Sequence, residues 1–223
     1  MEISEIRKDI KQNVGIKRFR YELKNLEYAT KYFETIANDL LEMKGKKFDL
    51  QTMRAPVEYL IKWIYLIGNE VDFTKGILFK GHTGRGKTFL FRVMDHFLKI
   101  DNIMFRENGK HKIINLKIAN VKKIAGEYQN PENGGFAVLE KYANYSCLVI
   151  DDIGKESEIS SSFGNKVNIV EEIINIREEL NLLTFGTTNL DKMSDAYDDR
   201  TVSRMNSLFN VSAINHKLDY RLK

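Results

Sequence analysis

The stretch Gly81-His82-Thr83-Gly84-Arg85-Gly86-Lys87-Thr88 decides how this chain is read. It has the pattern G-x-x-x-x-G-K-[ST], a phosphate-binding loop. Just before it, Gly76-Ile77-Leu78-Phe79 is a short apolar run suited to a buried parallel strand. Just after it, Phe89–Leu98 is long enough for a helix. The motif therefore stands between a strand and a helix N-terminus. There, glycines let the backbone wrap phosphates, while free N–H groups and the helix dipole favour negative charge. Lys87 is expected to reach the β- and γ-phosphates, and the Thr88 hydroxyl to coordinate Mg²⁺. A plain glycine-rich turn can carry the same letters, but it needs neither the strand nor the helix.

A second element fits the first. Cys147-Leu148-Val149-Ile150-Asp151-Asp152 is an apolar strand ending in two carboxylates. If it emerges beside the loop, Asp151 holds Mg²⁺, directly or through water, and Asp152 polarises the attacking water. Taken alone, it reads equally well as a buried strand running into an acidic turn.

The rest of the chain alternates. Leu26, Ala29, Phe33, Ile36, Ala37 and Leu40 recur at helical spacing, and Gly45 stops the pattern. A second helix is predicted from Pro56 to Gly68, with Val57, Leu60, Ile61, Ile64 and Ile67 inward. Trp63, Tyr59 and Tyr65 on it read as packing residues before they read as an aromatic binding surface. Downstream, His111–Val121 alternates as a strand, Val121–Tyr128 and Phe136–Tyr142 read as helices, and 129–135 is a loop. A long helix is predicted over Phe163–Leu180, a strand over Leu182–Gly186, a helix over Ala196–Leu208 and a fifth strand over Leu208–Ile214. Strands alternating with helices imply a five-stranded parallel sheet in a three-layer α/β/α fold, with ligand at the strands' carboxyl ends. Residues 1–70 form a helical N-terminal region, and residues 71–223 the nucleotide-binding domain.

Composition narrows the class. The chain has 223 residues, 43% hydrophobic and 30% charged, with a formal net charge of only +4. That balance permits nucleic-acid contact without requiring it. Residues 1–24 hold seven Lys or Arg against four acids, which reads as a solvated helical face or, less simply, a basic arm. A single cysteine, Cys147 in an apolar strand, excludes an internal disulfide and points to a reducing cytoplasm. The absence of a membrane-length apolar run or a signal-peptide pattern agrees with a cytoplasmic protein.

The succession GHTGRGKT, LVIDDIGKE, TFGTTNL and YDDRTVSRM resembles the AAA+ ATPases of the DnaC and IstB type, over residues 74–221. These are bacterial helicase loaders and transposition helper ATPases. The resemblance implies ATP and Mg²⁺ as ligands and ATP hydrolysis as the reaction. It makes Asn189 the sensor-1 residue that places the attacking water, and Arg204 the arginine finger serving a neighbouring subunit of an ATP-dependent homo-oligomer. Arg200 stands one helical turn before it. Arg221 falls at the position of the sensor-2 arginine, against the nucleotide. The resemblance further implies that Ser157–Lys166 helps form a pore for single-stranded DNA, with Phe163 and Lys166 as contacts. Glu156 and Glu158 in that region would repel phosphate. Asp152 departs from the glutamate common at its position, which is one methylene longer. The implied protein partner is a replicative helicase or a transposase. Two other classes stay open. A GTPase switch matches Asp151-Asp152-Ile153-Gly154, but the guanine-reading N-K-x-D element is missing. A nucleotide-gated adaptor that hardly hydrolyses is the other.

Overall fold

The computed structural model describes residues 17–18, 25–100, 104–107, 110–156, 160–162, 165–216 and 218–220. The described residues open with strand β1 (Lys17–Arg18), helix α1 (Leu26–Glu42) and helix α2 (Leu50–Tyr65). Strand β2 (Gly76–Lys80) and helix α3 (Lys87–Ile100) flank the phosphate loop. A hairpin of β3 (Met104–Glu107) and β4 (Lys110–Ile113) precedes β5 (Lys117–Asn120), α4 (Val121–Tyr128) and α5 (Phe136–Ala143). Then come β6 (Cys147–Ile153), a second hairpin of β7 (Ser160–Ser162) and β8 (Asn165–Val167), and helix α6 (Ile169–Glu179). The described chain closes with β9 (Leu183–Thr188), α7 (Asp199–Leu208) and β10 (Phe209–Ala213).

Five of these strands form one parallel sheet in the order β10-β2-β9-β6-β5. Because strand side chains alternate, each core strand feeds two layers. Ile77, Phe79, Cys147, Val149, Leu183 and Phe185 join the core under α1, α2 and α3. Leu78, Leu148 and Ile150 join the opposite core under α4 to α7. This is the expected three-layer α/β/α fold. The first core is aromatic: the Trp63 and Phe185 rings lie 5.0 Å apart, and Phe79 and Phe91 5.1 Å apart. Trp63 is fully buried and its indole N–H donates to the Lys75 carbonyl at 2.7 Å, so it packs and does not present a binding face. On the second side, Arg177 is fully buried and has no carboxylate partner among the described residues. It donates to Thr184 Oγ1, Ala143 O, Tyr145 O and Leu183 O at 2.6–2.9 Å. Burial lowers its pKa to about 10.

Several boundaries differ from the sequence-based expectation. Helix α2 begins at Leu50, not Pro56, because the Asp49 carboxylate caps it by accepting from Thr52 N–H at 3.1 Å. It ends at Tyr65, before Gly68, where Leu66 turns left-handed at φ 56°. The strand expected over 111–121 divides into β4, in a hairpin, and β5, in the main sheet. The long helix expected from Phe163 begins only at Ile169, because Asn168 Oδ1 accepts from the N–H groups of Val170 and Glu171 and so caps it. Leu180, the last residue of the expected helix, lies just beyond the end of α6 and is exposed. Likewise α7 starts at Asp199, not Ala196, with Asp198 as its cap, and Leu208 ends that helix instead of opening β10. Within the basic segment 1–24 only Lys17 and Arg18 are described, and they pair antiparallel with β3 instead of lying on a helix. Among the described residues no helix is long and apolar enough to cross a membrane.

Candidate nucleotide-binding site

The phosphate loop leaves β2 at the carboxyl edge of the sheet. Gly84 and Gly86 both have φ above 80°, a left-handed conformation that side chains disfavour. At Gly84 a Cβ would also stand 2.1 Å from Asp219 Oδ1. The loop is braced from outside by the C-terminal segment. Tyr220 N–H donates to Gly84 O at 2.9 Å, and Arg85 donates to Ile214 O at 2.7 Å. Lys46 Nζ in turn donates to Tyr220 O at 2.9 Å. The Arg85 side chain is thus committed to the backbone of the segment after β10.

A cleft of about 850 Å³ opens over the loop. Thr83 to Thr88, Asn120, Asp151, Asp152 and Asn189 line its floor, and Phe48, Met53 and Tyr220 form a wall. Gly81 and His82 do not line it; their carbonyls accept from the Lys87 ammonium, with the His82 contact at 2.9 Å. Lys87 also donates to Asn189 Oδ1 at 2.6 Å. Its three protons are therefore all engaged. Lys87 is 6% exposed, and burial lowers its pKa to about 8, the nearby Asp152 acting in the opposite sense.

The two carboxylates occupy different settings. Asp151 Oδ1 accepts from the Thr88 hydroxyl at 2.5 Å and from the Thr187 hydroxyl at 2.7 Å. Asp152 follows a register shift between Ile150 and Ile153, and it is left-handed at φ 65°. Its N–H donates to Thr187 Oγ1 at 2.8 Å. Its carboxylate takes a 3.0 Å ion pair from Lys155 and a 3.2 Å hydrogen bond from Asn120 Nδ2. The bulge turns two consecutive strand residues into the same cleft, which regular alternation would prevent.

Three residues absent from the sequence-based set thus belong to the site: Asn120, Thr187 and Lys155. The available signal was a polar residue ending a strand; Asn120 stands opposite Asp151 in the β5–β6 register. Arg200 and Arg204 lie on α7 and do not line the cleft. Arg200 is exposed, Arg204 is half-buried, and neither closes an ion pair among the described residues, Asp198 and Asp199 included. Glu156 does not line the cleft either. Arg221, Ser157, Glu158 and Phe163 lie outside the described residues. Lys166 falls in β8, away from the helix expected there.

The residues present fit a magnesium nucleotide. Asn189 Nδ2 is a buried donor without a partner, beside the ammonium that would meet phosphate. Thr88 and Asp151 offer adjacent hard oxygens. No cluster of three or more His, Cys, Asp or Glu is present among the described residues.

No protein-family model matches the chain, and no curated protein matches its sequence. Solved structures do. The crystal structure of DnaI is similar at a TM-score of 0.56 and 20% identity, over 78% of this chain and 88% of that one. The DnaC helicase loader is similar at 0.54 and 18% identity, over 74% of this chain and 90% of that one. The replication initiator DnaA bound to AMPPCP and single-stranded DNA gives 0.50 and 17% identity over 76% of this chain, which spans 48% of that one. The fold is that of the DnaC- and DnaA-type AAA+ proteins.

Proposed function

We propose that the chain is a magnesium-dependent AAA+ ATPase of the helicase-loader type, with residues 71–223 as its ATPase domain and residues 1–70 as an N-terminal region whose helices α1 and α2 pack on it. The observation that carries this reading is convergence. Lys87, Thr88, Asp151, Asp152 and Asn189 come from three separate segments and meet in one cleft. Lys87 leaves the Gly81 and His82 carbonyls to bind the β- and γ-phosphates of ATP. Thr88 and Asp151 would hold Mg²⁺, which would supply positive charge against the transferring phosphoryl group. Asp152 accepts the proton of the attacking water, and Asn189 orients that water through its free amide N–H. Arg204 completes the site of a neighbouring subunit, where its fixed fork of donors suits the developing charge. The likeness to a helicase loader and to an initiator on single-stranded DNA supports a replicative helicase as partner, and ATP-dependent contact with single-stranded DNA. A transposase is the alternative partner.

One observation favours a second reading, a nucleotide-gated adaptor with little turnover. The Asp152 carboxylate is already occupied by Lys155 and Asn120. Mixing Lys87→Ala with Arg204→Ala tests the first reading. Each alone is expected to be inactive, since arginine fingers are worth about 10³–10⁵ in turnover. Together they form interfaces with an intact loop and an intact finger, and activity returns in part. An absence of recovery despite co-assembly by light scattering rules out Arg204 acting across subunits.

A further inference from the structure

Glu156 lies beside the nucleotide site, tied to it on one side and to α7 on the other. Its Oε2 accepts from Gly154 N–H at 2.9 Å, and its Oε1 accepts from the Tyr197 hydroxyl. Gly154 belongs to the turn that leaves Asp152. Lys155 closes that turn twice: its N–H donates to Asp152 O at 3.1 Å, and its ammonium sits 3.0 Å from the Asp152 carboxylate. The turn has no slack. Gly154 is left-handed at φ 88°, and a Cβ there would stand 2.5 Å from Leu190 Cδ1. Leu190 directly follows Asn189.

On the far side, Tyr197 is 6% exposed and immediately precedes Asp198, the cap of α7, whose carboxylate accepts from Thr201 N–H at 2.7 Å. Burial, with the Glu156 carboxylate alongside, raises the Tyr197 phenol far above its ordinary range, so it stays a donor. A hydrogen bond to a carboxylate in such a dry setting is among the stronger ones available.

We propose that the Glu156–Tyr197 bond is a positioning link that couples the Asp152 turn of one subunit to the orientation of α7, and so to the Arg204 it offers its neighbour. The link deepens the trans-acting reading of Arg204 and rests on it. Asp152 must release Lys155 before it can accept a proton from water. That release loosens the Asp152–Lys155 turn, and Gly154 N–H carries the shift to Glu156 and then to Tyr197. Helix α7 begins two residues later and is a rigid lever, with Arg204 roughly 9 Å along it from the cap. Occupancy of one site thereby sets the finger for the next.

Tyr197→Phe removes only the hydroxyl and keeps the ring in its core. Placed in the finger donor (Tyr197→Phe, otherwise intact, as the minority in an excess of Arg204→Ala), it is expected to cut turnover at least about tenfold relative to the wild-type chain in the same excess. Placed in the finger acceptor (a minority of wild-type chain in an excess of Arg204→Ala with Tyr197→Phe), it leaves turnover within about twofold. Equal losses in both positions mean a purely structural role, and no loss in either means no link; both outcomes overturn the proposal. If Lys87→Ala and Arg204→Ala fail to complement at all, the trans reading has failed. The coupling is then decided by hydrogen exchange. ATP is expected to change amide exchange across Thr201–Arg204 in the wild-type chain and not in Tyr197→Phe. No change in the wild type, or the same change in both, overturns it.

Discussion

The Lys87 ammonium lies 2.6 Å from Asn189 Oδ1, joining the phosphate loop to the residue just beyond β9. The contact holds the loop's charge on the protein until phosphates replace it. Because burial lowers the Lys87 pKa to about 8, nucleotide binding should take up protons. Phosphate stabilises the ammonium, so protons are taken up on ATP binding around and above pH 8, and affinity falls as pH rises through that range. Calorimetry in buffers of different ionisation enthalpy measures the uptake; heats independent of buffer contradict it. For folding, the sign follows from a native pKa below the unfolded value of 10.5. The unfolded chain then binds the extra proton, so this group's contribution to stability rises with pH between about 8 and 10.5.

Asp152→Asn should bind ATP like the wild type, since the proposed metal ligands Thr88 and Asp151 are left in place. Turnover should fall by about 10²–10⁴, the usual worth of a general base. Steady-state hydrolysis alongside ATP titration checks both halves. Unchanged turnover would move the role to another group.

Lys155→Met releases the Asp152 carboxylate from its 3.0 Å ion pair. The pair is partly solvated and worth about 0.2–1 kcal/mol, so basal turnover should rise up to about fivefold. A fall instead would show that Lys155 assists the reaction.

Arg177→Met tests the buried guanidinium away from the site. Methionine fills much of the volume but leaves the carbonyls of Ala143, Tyr145 and Leu183 and the Thr184 hydroxyl without their donor. At about 1 kcal/mol or more for each unmade bond, a loss of roughly 3–5 kcal/mol is expected in urea denaturation. A loss under about 1 kcal/mol would mean that the acceptors find other donors.

The phosphate loop was legible because each letter answers a local demand. Gly84 and Gly86 adopt left-handed backbone, and Lys87 and Thr88 open a helix directly behind a buried strand. The apolar strands ending at Asp151 and near Asn189 were legible for a similar reason, as runs too short for a helix and bounded by turn or polar residues. Helix boundaries were less so. The apolar spacing of Val167, Val170, Ile173 and Ile174 runs straight through Asn168, yet that side chain takes two N–H groups and starts the helix there. Asp49 does the same for α2, upstream of the Pro56 that looked like a first-turn residue.

By itself, then, the amino-acid order determined the parallel α/β/α architecture and the chemistry of the loop, through contacts between near neighbours. Only the tertiary structure decided what surrounds the Asp152 carboxylate. Asn120 reaches it across a strand register, and Thr187 holds its N–H from β9 at a bulge. Only the folded chain, too, sets Tyr197 against Glu156. Such pairs are distant along the chain and adjacent only after the sheet has closed, and no local pattern of residues encodes a contact that strand order and register create.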